Sequence, residues 1–366
     1  MDPRVRKLAK LLVQYSLKLK KGDMFKIQGE TAALPLMKAL YEQAIDVGAR
    51  PYLSIRDTET EEYFFRQASD DQLKFVSPLL KLEIDRIEAH ATIWGSQNTR
   101  YLAGVDSKRQ AMQQKAMRPL VQKRFKRMGD GSYKWVGTQF PTYADAQEAD
   151  MSLADYEAFV YGAGHLDAAD PVKHWQKIEA EQKRLVKILE TADEFRVRSD
   201  DTDLRFRARG RKWISCHGTN NFPDGEIFTG PIENSVEGRI RFSFPAVYMG
   251  REVNDVRLTF KKGKVIEESA GKNVEFLKNM LGVDAGARFV GEIAVGTNYD
   301  IKKFTRNTLF DEKIGGTCHL ALGASIPESL GKNKSAIHWD MVCDLRQSSE
   351  ITADGKTIYR NGKFIV

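Results

Sequence analysis

The sequence predicts two domains of different class: an α/β domain with a largely parallel sheet over residues 1–192, and a mostly β domain over residues 193–366. Three observations carry this. Residues 22–139 alternate strand-like apolar runs with helical periodicity. From Glu194 onward, short alternating segments are separated by tight-turn signals. Between the two regimes lies one long helical pattern, "DPVKHWQKIEAEQKRLVKILETAD". A chain of 366 residues is long enough for two domains.

The elements follow in order. "MDPRVRKLAKLLVQYSLKLKKGD" is an amphipathic helix pattern, charged throughout and without a small-residue cleavage site, so it does not read as a signal peptide. "DMFKIQG" is a strand, "ALPLMKALYEQAIDVGA" a helix ending at Gly48, and "RPYLSI" a second strand. Helical patterns through "TEEYFFRQ" and "DQLKFVSPLLKLEIDR" lead to the strand "IEAHATIWG"; a helix over 107–128 leads to "YKWVGTQFP". No GxGxxG follows the first strand, so no dinucleotide site is indicated. Asp170 as N-cap and Pro171 at the first helical position start the long helix, which runs to about Glu190. Beyond it come "FRVRS", "LRFRARG", "GRIRFSFPAVYMG", "VRLTFKKGKVIEES" and "TIYRNGKFIV", with "KKGK" and "RNGK" as hairpin turns.

The composition, 42% hydrophobic and 29% charged, is that of a soluble globular protein, and no run of about 18 apolar residues could span a membrane. The net charge of +7 invites a nucleic-acid reading, with "QQKAMRPLVQKRFKRMGDG" as its densest stretch. There Met117, Leu120, Val121 and Phe125 supply an ordinary core face, so Lys123, Arg124, Lys126 and Arg127 read as a solvated basic face, and no nucleic-acid partner is expected. Cys216, Cys318 and Cys343 are too few and too scattered for a disulfide framework. The expected location is the cytoplasm.

In "SAIHWDMVCDLR", strand alternation puts His338 and Asp340 on one face, with Asp344 beyond them, while Ile337, Trp339, Met341 and Cys343 take the other. Alone this is as readily a solvent-facing polar row. Its company lies upstream: Glu226 in "NFPDGEIFTGP", Glu292 in "FVGEIAVGTN", and Asp311, Glu312 and His319 in "NTLFDEKIGGTCHLALGAS". A carboxylate inside "VGEIAV" is costly to bury unless it is paired or binds a cation. Each residue singly reads as a satisfied core group. Together they form an N/O donor set suited to Zn²⁺, Mn²⁺ or Co²⁺.

"GEIFTGP", "GEIAVGTN", "NTLFDE…CHLALG" and "IHWD", in this order, resemble the motifs of the thermophilic-type metallo-aminopeptidases, typified by aminopeptidase T and aminopeptidase S. The likeness is sharpest from Asp224 to Asp340. It implies an aminopeptidase that hydrolyses N-terminal residues from a peptide substrate, acting as a homodimer. It also implies two divalent ions (Zn, Co or Mn) held by Glu226, Glu292, His319, His338 and Asp340, with Glu292 shared between them. Glu312 matches a further acidic position of the family and would be a ligand or a base; Glu312 or Glu226 would shuttle the proton, with Glu312 preferred as the catalytic residue. Asp344 is a candidate acceptor to fix the His338 tautomer. Three features depart from the family: Ile326 stands where members carry a tyrosine, only 19 residues separate His319 from His338, and the loop "KIGGTC" is slightly long. The rival readings are a metal-dependent hydrolase of another substrate class and a non-catalytic metal- or peptide-binding paralogue.

Overall fold

In the computed structural model, which describes residues 2–366, the N-terminal half is built on a parallel sheet. Its order is Arg50–Arg56, Met24–Glu30, Ala89–Trp94, Lys134–Gln139 and Asn221–Phe222, and every pairing is parallel. The helices Leu34–Asp46 and Ser107–Gly129 lie in the connections between strands, as parallel pairing requires. The last, two-residue strand carries no sequence signal. Residues 71–86 are not one helix: Ser77 accepts from the Leu79 N–H and Pro78 opens a new helix, so Asp70–Lys74 and Pro78–Arg86 are separate.

The basic helix also differs from its sequence reading. Phe125 is 58% exposed rather than on the core face, while Leu120 is buried. Arg127 donates to the carbonyls of Ile84 (2.6 Å), Ile87 (2.9 Å) and Ser132 (2.6 Å), and Lys123 is ion-paired with Asp85. Much of this charge therefore caps the ends of its own domain.

The chain divides into two compact units, one running to Val172 and taking in Gly218–Phe222, the other comprising Lys173–His217 and Pro223–Val366. The helix Pro171–Leu189 belongs with the second because Leu185 and Leu189 sit in one core with Phe195, Val197 and Phe206. Its apolar stripe thus joins all but its first two residues to the second unit, whereas the sequence reading placed the boundary near residue 192.

The second unit holds three antiparallel sheets, one of them only the pair Ala246–Tyr248 and Arg251–Val253. The eight-stranded one contains both expected hairpins: Lys262–Gly263 and Asn361–Gly362 join their strands with φ positive at both turn residues, as a two-residue hairpin turn demands. The five-stranded one has the order His338–Asp344, Thr317–Gly323, Val290–Gly296, Glu226–Thr229, Ile214–Cys216. One face of this sheet presents Ile227, Ile293, Val295, Cys318, Leu320, Leu322, Trp339, Met341 and Cys343 to the core. By alternation, the other face receives Glu226, Glu292, His319, His338 and Asp340.

Glu292 reaches that face only because of a register shift. Val290 pairs with Leu322, but Glu292 pairs with Ala321, which leaves Gly291 as an extra residue. Without this bulge Glu292 would share the core face with Val290. A Cβ on Gly291 would lie 2.3 Å from the carbonyl oxygen of Ala324 and 2.5 Å from that of Gly323, so a glycine is required. Gly291→Ala should therefore lower stability by about 1–3 kcal/mol, the usual cost of forcing extra atoms into a packed site. A melting temperature equal to wild type would contradict this.

Candidate metal centre

Five donor side chains come from four adjacent strands. Across the sheet Glu292 stands opposite Ala321, and Ala321 opposite Asp340; His319 stands opposite Ala294, and Glu226 opposite Gly296. Each long polar side chain thus has a small neighbour across the ladder, which leaves room for all of them to converge.

His319 is fully buried, and its Nε2 lies 3.3 Å from Glu292 Oε1, 3.6 Å from Glu226 Oε2 and 3.9 Å from Asp340 Oδ1. His338 Nε2 lies 3.7 Å from Glu292 Oε2 and 3.5 Å from Asp340 Oδ1. All five residues named from the sequence are therefore brought together. Glu292 and Asp340 each face both imidazoles.

Two other sequence expectations fail here. His338 Nδ1–H donates to the Ala324 carbonyl at 2.8 Å, which leaves Nε2 directed at the carboxylates. Asp344 has no part in this. It lies six residues along the strand, about 20 Å at 3.3 Å per residue, and binds Arg346 instead. Asp311 turns away as well: its Oδ1 accepts from the Thr305 N–H (2.7 Å) and hydroxyl (3.0 Å), so it anchors its own loop.

Glu312 does belong to the cluster: it is ion-paired with Lys313, and its charge acts on Asp340 and His319. Lys313 was missed in the sequence. Its side chain is 1% exposed and its Nζ is 3.3 Å from Glu226 Oε1. The only local signal was a lysine between an acidic pair and the glycines of "KIGG", a pattern that reads as an ordinary loop.

Burial pushes the Glu226 carboxyl up to about 8 and, with the Glu312 charge, Asp340 up to about 7. Burial alone would favour a neutral His319. The Glu292 hydrogen bond and the charges of Glu226, Glu312 and Asp340 outweigh it and raise that ring to about 10. Lys313 is likewise desolvated, yet Glu226, Glu312 and Asp224 hold it charged, well above the usual lysine range.

The donor set suits a divalent cation. Glu226 Oε2, Glu292 Oε2 and Asp340 Oδ1 are buried with no hydrogen-bond partner among the described residues, although polar groups at such depth are normally satisfied. Ligand atoms of Glu226, Glu292 and His319 lie within 4.8 Å of one another. Four carboxylates face one lysine and two imidazoles, an excess of acceptors that hard or borderline cations neutralise.

A profile of the family described as thermophilic metalloprotease (M29) matches residues 1–364. The chain belongs to this family. Among relatives of the M29 chain, "Aminopeptidase 2" of Geobacillus stearothermophilus is 27% identical, the alignment covering 99% of this chain and 98% of that protein. "Aminopeptidase T" of Thermus thermophilus is 26% identical over 98% and 95% of the two chains. The solved structure of wild-type AmpT from Thermus thermophilus superposes with a TM-score of 0.88 at 23% identity, covering 99% of each chain, and shares the α/β-then-β fold. The resemblance read from four motifs is borne out over nearly the whole length.

Cation uptake by this cluster should release protons. The carboxyls of Asp340 and Glu226 and the ring of His319 hold protons below about 7, 8 and 10, and only their ionised or neutral-ring forms ligate. Divalent-ion affinity should accordingly climb from pH 6 to pH 9 (about one proton or more released at pH 7), measured by calorimetry in buffers of different ionisation enthalpy. A pH-independent affinity would show that the cluster is not where the ion binds.

Proposed function

We propose that this M29 chain is an aminopeptidase that removes N-terminal residues from peptides, with two divalent ions held by Glu226, Glu292, His319, His338 and Asp340. The observation that carries the reading is Glu292, whose two oxygens are directed at different imidazoles, Oε1 at His319 and Oε2 at His338. A carboxylate so placed is suited to sharing between two ions. Zinc, manganese or cobalt match the donors. When bound, such ions would polarise the scissile carbonyl and acidify a water.

The residues of the chain supply the rest. The Ala324 carbonyl keeps His338 in the tautomer that presents Nε2. Glu312 is the acid–base group: Lys313 holds one of its oxygens, and the other takes a proton and returns it to the leaving amine. A cleft lined on one side by Pro245, Val247, Phe304 and Val342 and on the other by Arg306, Thr308, Asp311, Glu312 and Asp340 would receive the substrate's first side chain against its apolar residues. Ile326 is half-buried at the start of the turn Pro327–Ser329 and supplies no hydroxyl. A cytoplasmic homodimer completes the reading on the strength of the family resemblance, and light scattering tests the dimer.

Aminoacyl amide hydrolysis measured together with metal content tests the whole. Glu292→Gln should lose both metal and turnover. Glu312→Gln should keep its metal while turnover falls roughly 10²–10⁴-fold, the usual worth of general acid–base catalysis. Val247→Trp should raise KM for apolar N-terminal residues and leave metal content alone. Metal bound without turnover on any peptide would instead favour a hydrolase of another class or a non-catalytic paralogue.

A further inference from the structure

The peptidase reading gives Lys313 itself no chemistry. Its ammonium is buried behind the carboxylates, ion-paired with Glu312 and 3.3 Å from Glu226 Oε1. Across the ladder from Glu226 stands Cys216, and with it comes a second donor set: atoms of Cys216, Asp224 and Glu226 fall within 4.8 Å of one another. Asp224 is buried and adds its charge to those acting on Lys313. A thiol and two carboxylates make a plausible ligand set for zinc or cobalt. The fixed ammonium is paired with Glu226 and lies within reach of the Asp224 charge.

We propose that Lys313 is a positioning residue, a cation tethered to the chain that takes the Cys216 side of Glu226 and so confines metal ligation by Glu226 to Oε2, on the His319 side. The two oxygens of Glu226 are already divided in this way, Oε1 to Lys313 at 3.3 Å and Oε2 to His319 at 3.6 Å. A carboxylate with both oxygens free chelates one ion or bridges two. With one oxygen paired to an ammonium, it contributes a single ligand atom. The ammonium also repels a further divalent ion from the Cys216–Asp224 side, where that ion would compete for Glu226. A lysine does this without dissociating. The inference rests on the reading of Glu226 as a ligand.

Cobalt separates the possibilities, because thiolate ligation adds a ligand-to-metal charge-transfer absorption that oxygen and nitrogen ligation lacks. Wild-type protein loaded with Co²⁺ should show no such band. Lys313→Met should gain the band together with about one further ion per chain, and the added change Cys216→Ser should abolish both. If Lys313→Met takes up the same cobalt as wild type and shows no band, the proposal is wrong while the peptidase reading stands. Absence of cobalt from the wild type would bring down both. The wild-type spectrum keeps the proposal open to refutation even where the variant does not fold, since a thiolate band there would mean that Lys313 does not guard Cys216.

Discussion

Four carboxylates, two imidazoles and one ammonium crowd against one face of a β-sheet, most of them buried, and their desolvation is the constraint that the rest of the second unit serves. Charges at this depth persist only when they are paired or bound to a cation. The fold meets the demand in layers. The opposite face of the same strands is mostly apolar and packs into one core with the neighbouring sheet, which holds the strands together against the pull of the charges toward water. Alanine and glycine across the ladder leave the polar side chains room to converge. Lys313 balances part of the negative charge from within the chain.

Much of this was legible in the sequence, and for local reasons. Periods of two and 3.6, the two hairpin turns and the Pro171 helix start are short-range properties. The structure realises them with few changes. Glu226, Glu292, His319, His338 and Asp340 were legible because an acid or an imidazole inside an apolar run stands out from its neighbours. Their convergence was suggested by composition and by motif order, not by geometry. What stayed hidden depends on long-range pairing. No local pattern shows which strands neighbour one another, and none shows that a lysine in a glycine loop folds beneath Glu226.

The errors share a cause. Asp344 was assigned to His338 because the two share a face, but sharing a face says nothing about distance along a strand. Asp311 was grouped with Glu312 because they are adjacent, yet adjacent side chains diverge, and Asp311 satisfies the Thr305 backbone instead. The change of pattern near residue 192 marks where the β segments begin, while the compact second unit also takes in Lys173 to Leu189 of the preceding helix.

The extra residue at Gly291 has a bearing on how the chain finds its register. In a regular strand a slip of two residues leaves every side chain on its proper face, so apolar burial alone cannot reject it. In the Val290–Gly296 strand such a slip would move the kink to a position where another residue must occupy the space against the Ala324 carbonyl that only a glycine fits. The bulge therefore acts as a key that admits one alignment. A mispaired sheet with an intact hydrophobic core but a scattered acidic cluster is thereby excluded sterically.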